Sequence, residues 1–265
     1  MGNQPLTVSL ILIIGFLLAK VSAGITGQII GGTKAKQTQF PFQAFIIADT
    51  SNYCGGAIIS KDWVITTTKC ISSFNNFVVL AGGIDRVNAK EKGEQVFTST
   101  TKIVHENYNK DMELNDIGLI KVLFTLDKVY VGALRLPKRS QVGNLFENLN
   151  VIAAGFGVTT KTSQTPNRYM MFTSLKTIDN YNCSLKLGSN VFNPSILCTA
   201  ADSKKGVCTG DVGGPLVWKD TDGIYTAIGI FSYYKFSCIS YPEVFTRVTA
   251  FLDWISQKTG IPIVE

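Results

Sequence analysis

The chain is poor in histidine and in the residue spacings that bind metal ions. Among 265 residues there is one histidine, His105, and the six cysteines include no pair in the C-x-x-C spacing. Protein zinc sites are usually assembled from cysteine and histidine at such short spacings. We therefore expect neither a metal nor a cofactor in this protein.

Long apolar runs are also scarce, and the most prominent one stands near the N-terminus at Val8–Ala19. Its length of about a dozen residues is below the roughly 20 that a transmembrane helix requires. Val21 and Ala23 then supply small side chains at the spacing of a signal-peptidase site. The pattern predicts a signal peptide over residues 1–23 and a secreted protein without a membrane span. An N-terminal membrane anchor is the alternative.

The formal net charge is +6 at pH 7. The basic residues are dispersed in short groups at 34–36, 90–92 and 138–139. Dispersed groups are typical of a solvated surface rather than of a nucleic-acid footprint. We expect no nucleic-acid partner, and a clustered face that binds anionic glycans remains the alternative.

Six cysteines in a predicted secreted chain suggest three disulfides. Among the possible pairings the spacing favours local closure, as Cys54–Cys70, Cys183–Cys198 and Cys208–Cys238. In the chain-entropy model, loops of this size stabilise a fold by roughly 3 kcal/mol each.

After residue 28 the sequence is a succession of short runs rich in Val, Ile, Phe and Thr, bounded by turn residues. Such spacing predicts an all-β barrel or sandwich. The runs predicted as strands are Phe42–Ala48, Gly55–Ser60, Trp63–Thr68, Asn76–Gly82, Asn150–Gly157, Gly214–Trp218, Ile224–Tyr234 and Glu243–Val248.

A helix is predicted only at the C-terminus, over Val248–Gln257. Val248, Phe251, Leu252 and Ile255 recur there at helical spacing, and Gly260 follows as a stop signal. The stretch Thr125–Asn150 has the least regular pattern and would suit a linker between two β halves.

Six segments of the sequence form an ordered set of motifs. They are "IIGG" at 29–32, "CGGAIIS…WVITTTKC" at 54–70, "NDIGLIKV" at 115–122, "AGFG" at 154–157, "GDVGGPL" at 210–216 and "GIFSYY…C" at 229–238. Together they resemble the trypsin/chymotrypsin family of serine proteases. The resemblance implies a domain over 29–265, with two six-stranded antiparallel barrels at about 29–135 and 136–245, a helix at 248–257, and a short pro-segment at 24–28.

At the three triad positions that the resemblance assigns, the chain has Lys69, Asp116 and Val212. A Ser-His-Asp triad needs a hydroxyl, an imidazole and a carboxylate, and His105 falls in a segment similar to an exposed surface stretch of the family. A Ser-Lys pair would need a hydroxyl at Val212, and Thr209 would point elsewhere. We expect a protein that is not an enzyme, with Gly210 and Val212 as the remnant of an oxyanion hole.

The substitutions suggest a replacement contact. A partly buried Asp116 carboxylate needs a partner, so we predict a Lys69–Asp116 ion pair with the Ser232 hydroxyl as second donor. The alternative places the Lys69 ammonium in solvent.

The resemblance also implies an activation ion pair between a newly cleaved Ile29 amine and Asp211. The preceding residue, Gln28, is not one that trypsin-like activators cut after. The substrate pocket would contain Gly206 at its floor, with Tyr234 and Glu243 narrowing or filling it, unless the alignment is shifted by one residue. No calcium is expected in the loop 82–95.

The combined prediction is a secreted, monomeric, non-catalytic protease homologue that binds extracellular proteins as a cofactor, decoy or regulator. The alternatives are a basic protein that binds glycans or microbial surfaces, and a residual serine endopeptidase.

Overall fold

The structure, a computed structural model, describes residues 29–88, 90–158, 165–188, 193–235 and 238–265. The predicted signal peptide, 1–23, and pro-segment, 24–28, lie outside the described residues. No helix within the described residues has the length and apolar character needed to cross a bilayer.

The described chain is mostly β structure, in agreement with the predicted all-β class. The strands are β1 (Thr33–Lys34), β2 (Gln43–Ala48), β3 (Asn52–Ile58), β4 (Trp63–Thr66), β5 (Phe77–Ala81), β6 (Gln95–Ser99), β7 (Lys102–Val104), β8 (Gly118–Lys121), β9 (Asn150–Gly155), β10 (Met171–Ile178), β11 (Ile196–Thr199), β12 (Pro215–Lys219), β13 (Tyr225–Tyr234) and β14 (Glu243–Arg247).

These strands form two antiparallel, barrel-like sheets. In the first, the order is β6-β5-β2-β3-β4-β8-β7. Its end strands β6 and β7 are separated only by Thr100 and Thr101, so one bent stretch of chain connects the two ends of the sheet. Counting that stretch as one strand gives the six strands that the sequence predicted.

The second sheet has the order β1-β10-β11-β14-β13-β12-β9, and an additional β9–β10 pairing closes six of its strands into a barrel. The seventh strand, β1, comes from the start of the chain: Thr33 pairs with Phe172 and Lys34 with Met171. The N-terminal segment therefore pairs with the second barrel, although the strands that follow it directly in the sequence belong to the first barrel.

A shared apolar core fixes the two barrels against each other. It combines Phe45, Ile65 and Leu119 of the first barrel with Phe156 and Ile230 of the second. Full burial of each such side chain stabilises the fold by about 1.5–3 kcal/mol. The cleft between the barrels is held in shape by this packing.

The disulfides are Cys54–Cys70, Cys183–Cys198 and Cys208–Cys238, the pairs that local closure predicted. Within the described residues no cysteine is free.

The prediction of a single helix was wrong. Besides the C-terminal helix α3 (Leu252–Thr259), the chain has α1 (Thr68–Ile71) and α2 (Asn180–Leu187). α1 has only four residues, and the buried face of α2 consists of Cys183, Ser184 and Leu187, which is not an apolar stripe at helical spacing. The C-terminal segment starts later as an α-helix than predicted, because Val248–Phe251 forms a 3-10 turn. It runs to Thr259, two residues beyond the predicted end, and Gly260, the predicted stop, caps it in the left-handed conformation with φ 74°.

Candidate functional site

Three elements from both barrels meet at one open groove. α1 supplies Lys69, the segment before β8 places Asp116 behind it, and the loop before β12 supplies Gly210 and Val212. The groove has a volume of about 430 Å³ and is also lined by Tyr53, Phe74, Val158, Pro166 and Thr209. Lys69, Asp116 and Val212, which are distant in sequence, therefore converge at this groove.

The Asp116 carboxylate is fully buried and accepts two hydrogen bonds. The backbone N–H of Lys69 donates to Oδ1 at 2.8 Å, and the Ser232 hydroxyl donates to Oδ2 at 2.7 Å. The predicted Ser232 donor is thus confirmed. Burial raises the pKa of Asp116, because desolvation outweighs the two hydrogen bonds that favour the charged form.

The predicted Lys69–Asp116 ion pair was wrong. The Lys69 ammonium instead lies 2.7 Å from Oε2 of Glu113 and 3.3 Å from the carbonyl oxygen of Ser232. The Glu113 side chain is about one-third exposed, so pairing there avoids the desolvation that burial beside Asp116 would impose.

Backbone geometry explains why sequence reasoning missed Glu113. Glu113 and Asn115 both have positive φ, 52° and 55°. This conformation is uncommon outside glycine and reverses the chain just before Asp116. The signal available in the sequence was an acidic residue three positions before Asp116, but nothing in the pattern showed its direction.

The Val212 loop depends on close contacts between backbones. Gly213 has φ 88°, and a Cβ placed there would lie 2.2 Å from Thr66 Oγ1. Its N–H donates to Phe231 O, while Gly55 N–H donates to Val212 O, both at 2.8 Å. The loop is thereby bonded to both barrels and holds residue 212 at the groove. The Val212 side chain is half-buried against the cores of both barrels.

Asp211 is buried on the other side of this loop. Its carboxylate accepts the N–H of Gly157 at 2.8 Å and of Cys208 at 3.1 Å. Desolvation raises the pKa of Asp211 to about 7. The Ile29 side chain is fully buried, and Gln28 lies outside the described residues, so the Ile29–Asp211 ion pair stays a prediction.

The three predicted pocket residues lie close to one another. Tyr234 and Glu243 are direct partners in the β13–β14 pairing. A Cβ at Gly206 would lie 2.3 Å from Oε1 of Glu243. The Tyr234 hydroxyl is 2.8 Å from Thr209 Oγ1, and this contact joins the end of β13 to the loop that precedes Val212.

Glu243 is fully buried. The Thr199 hydroxyl donates to its Oε2, whereas Oε1 has no hydrogen-bond partner among the described residues. Desolvation raises the pKa of Glu243 to about 8. At neutral pH the carboxyl group is therefore largely protonated, which avoids an unpaired buried charge.

His105 is half-buried rather than exposed, which corrects the prediction of an exposed residue. Its ring packs against Phe251 and Trp254 of the C-terminal segment, with centroids 5.2 and 5.0 Å away. Burial lowers the pKa of His105. The imidazole serves the packing of the C-terminal helix and is absent from the lining of the groove.

The fold and this cleft define the class of double-barrel proteins with a site at the junction of the barrels. Residues 29–255 match the Trypsin family, and the chain belongs to that family. It is similar to the collagenase of Hypoderma lineatum, with 32% identity over 89% of this chain and 88% of the relative. Chymotrypsin-2 of Vespa crabro is 34% identical over 87% of this chain and 99% of its own length.

Comparison with a solved structure indicates the same family as the sequence comparison. The structure of HL collagenase superposes with a TM-score of 0.79 and 31% identity, covering 88% of this chain and 100% of that one. Brachyurin of Leptuca pugilator is a further relative, 31% identical over 88% of this chain and 99% of its own length. The whole two-barrel domain is therefore shared with these proteins.

Proposed function

We propose that this chain is a non-catalytic member of the trypsin family and acts by binding other proteins. The observation that carries the proposal is the side chain of Val212 at the groove. Acyl transfer by this family requires a hydroxyl nucleophile, an imidazole base and a carboxylate. The residues that converge at the groove are Val212, Lys69 and Asp116. Of the three required groups, they supply only the carboxylate, that of Asp116.

Four other side chains near the groove that could act as a nucleophile or a base are already engaged. The Thr209 hydroxyl forms a hydrogen bond with the Tyr234 hydroxyl, at 2.8 Å. The sulfur atoms of Cys54 and Cys70, which line the groove, form a disulfide. The Lys69 ammonium is held by Glu113 and so is not a free amine base. A Ser-Lys arrangement is therefore not supported.

Chemical labelling tests this loss of activity. Removing the nucleophile or the histidine from a protease of this mechanism costs about 10⁶ in turnover. The protein, produced with Ile29 as its first residue, should not react with a fluorophosphonate probe. The variant Lys69→His/Val212→Ser should react, and Val212→Ser alone should react far more slowly. Labelling of the unmodified protein would show that it is a residual hydrolase.

Side-chain contacts leave one part of the cleft open to a partner. The Lys69–Glu113 ion pair and the Thr209–Tyr234 hydrogen bond bridge neighbouring segments, whereas the groove of about 430 Å³ beside them is open. Its rim includes the exposed Asn52 and the half-buried aromatic residue Phe74. We infer that segments of extracellular proteins, such as proteases or their inhibitors, bind in this groove.

A groove variant tests the binding proposal. Arginine at Asn52 should block the groove without disturbing a buried side chain. Proteins that copurify from the native fluid with the unmodified chain should be lost with Asn52→Arg. They should be retained with Thr221→Arg, a control substitution at an exposed turn. Retention of the same proteins by Asn52→Arg would contradict binding in the groove.

The identity of the N-terminal residue of the native protein tests two further parts of the proposal, secretion and activation by cleavage. A cleaved Ile29 would supply an amine for the buried Asp211 carboxylate, which an opposite charge would stabilise in its charged form. N-terminal sequencing of the native protein should find Ile29 first if this pair forms. Gly24 would indicate removal of a signal peptide alone, and Met1 would contradict both secretion by a cleaved signal and activation.

A further inference from the structure

We propose that the first barrel carries a binding surface for a sulfated linear polysaccharide, separate from the cleft. It consists of Lys36, Lys90, Lys92 and Lys128, named here the lysine surface. The proposal does not depend on the function inferred for the groove. It rests on how three chain segments converge and on the exposure of their lysine residues.

The first two segments are joined by a side-chain hydrogen bond. The Gln37 amide nitrogen donates to the carbonyl oxygen of Lys92 at 2.8 Å. This bond places the residue next to Lys36 directly on the segment that carries Lys90 and Lys92. In sequence the two segments are more than fifty residues apart, so their proximity is a property of the fold alone.

The third segment packs on the second through Tyr130. A Cβ at Gly93 would lie 2.1 Å from Tyr130 Cγ, so only glycine permits this contact. The Lys92 ammonium lies 5.9 Å from the centroid of the Tyr130 ring. Lys128 stands two residues before Tyr130 in the same turn, where its N–H donates to Val131 O. All four lysines are therefore carried by segments in mutual contact.

The ammonium groups of the lysine surface are available to a ligand. All four residues are exposed. Among the described residues, the ion pairs within 4.0 Å involve other cations, and no carboxylate pairs with Lys36, Lys90, Lys92 or Lys128. Exposed lysines that are free of local partners contribute their full charge to the surface potential.

Two neighbouring carboxylates accept hydrogen bonds from the backbone. Oε2 of Glu91 accepts the N–H groups of Ile84 and Asp85 at 2.6 and 2.7 Å. Oδ1 of Asp127 accepts three successive N–H groups, those of residues 129–131, at 2.7–3.0 Å. Glu91 and Asp127 thus hold the loops together, while the four lysines are exposed.

The arrangement suits a linear polyanion better than a single phosphate group. The lysines are point charges on flexible stems, spread over three loops without a shared rigid pocket. A polysaccharide with regularly spaced sulfates can pair with several such charges at once. Each pair releases a bound counterion, so the affinity should decline steeply with salt, as it does for other polyanions.

Heparin serves as the probe, and two variants of equal net charge separate a local surface from overall charge. In the first, Lys36, Lys90, Lys92 and Lys128 are replaced by glutamine. In the matched control, the exposed residues Lys61, Lys110, Lys186 and Lys219 are replaced by glutamine. Both variants lose four charges, and thermal unfolding verifies that both are folded.

We expect the first variant to elute from heparin at clearly lower salt, with Kd raised by about tenfold or more and a shallower slope of log Kd against log salt. The control should remain close to the unmodified protein. Equal loss in both variants, or no loss in either, would overturn the proposal. Tighter binding to anionic phospholipid vesicles than to heparin would overturn the choice of polysaccharide.

Discussion

The ammonium group of Lys69 lies 2.7 Å from the carboxylate of Glu113, while the backbone N–H of the same residue lies 2.8 Å from the carboxylate of Asp116. Lys69 therefore contacts two acidic residues, Glu113 through its ammonium group and Asp116 through its backbone N–H. Asp116 receives an uncharged donor and stays buried, and the charge of Lys69 is neutralised nearer to solvent.

Replacing Glu113 by glutamine tests the strength of that ion pair. Both side chains are about one-third exposed, so the pair should contribute no more than about 1 kcal/mol to the free energy of unfolding. Urea unfolding of Glu113→Gln at low and high salt should show a small loss that salt diminishes. A loss of several kcal/mol would mean that Lys69 and Glu113 are effectively buried.

Glu243 should make the protein less stable as the pH rises. Its pKa in the folded state, about 8, exceeds the ordinary value of 4.5, so the folded chain binds the extra proton between these values. The contribution is present below about pH 4.5 and is lost as the pH rises through about 8. Asp211, with a pKa of about 7, acts in the same direction.

Unfolding in urea at pH 5, 6, 7 and 8 measures this effect. The free energy of unfolding of the unmodified protein should fall across this range, by up to about 1.4 kcal/mol per pH unit from Glu243. Glu243→Gln should flatten the dependence, leaving the part due to Asp211. The exposed substitution Asp111→Asn should leave it unchanged. An unaltered slope in Glu243→Gln would refute the assignment.

Lys102 should be important for stability, although it lies outside the groove. Its ammonium donates to three carbonyl oxygens at the end of α1, those of Ile71, Ser72 and Phe74, the first two at 2.9 Å. Hydrogen bonds from a charged donor contribute about 1.5–3 kcal/mol each, and a cation also favours a helix C-terminus.

Lys102→Met keeps the aliphatic stem and removes the donor. Because Lys102 is only half-buried, water can replace part of these three hydrogen bonds, and we expect a loss of roughly 2–3 kcal/mol in the free energy of unfolding. Lys110→Met, at an exposed position, should cost less than about 0.5 kcal/mol. Equal effects of the two substitutions would show that the carbonyl groups of α1 are satisfied without Lys102.

Gly213→Ala should disrupt the loop that presents Val212. The new Cβ would meet Thr66 Oγ1 at 2.2 Å and Gly55 O at 2.5 Å, in addition to the strain of φ 88°. Gly188 isolates the second effect, because it has φ 60° and a Cβ added there would meet no atom of the described residues within 4 Å. Gly188→Ala should cost about 1–2 kcal/mol. Thermal unfolding should show a much larger loss of stability for Gly213→Ala than for Gly188→Ala. Similar losses of stability would indicate that the loop can move away from Thr66 and Gly55.

Much of the fold could be read from the sequence. The eight runs predicted as strands all correspond to strands, because alternation, β-branched residues and turn residues are local signals. The three disulfides followed from the spacing of the cysteines. The convergence of Lys69, Asp116 and Val212 followed from a resemblance that covers nearly the whole described chain.

Other features depended on tertiary structure. The helices α1 and α2 have no apolar stripe in the sequence, because α1 has only four residues and the buried face of α2 includes Ser184. The pairing of β1 with the second barrel is a long-range contact without a local signal. The lysine surface also exists only because three distant segments meet at Gln37, Gly93 and Tyr130.

The sequence by itself determined which chemical groups stand at the site: a valine, a lysine and an aspartate, in a chain with one histidine. The tertiary structure alone decided how those groups are paired. Glu113, on a left-handed backbone, has its carboxylate 2.7 Å from the Lys69 ammonium, and burial makes Asp116 a costly place for a second charge. Lys69 therefore pairs with Glu113, a choice that residue identity and spacing do not encode.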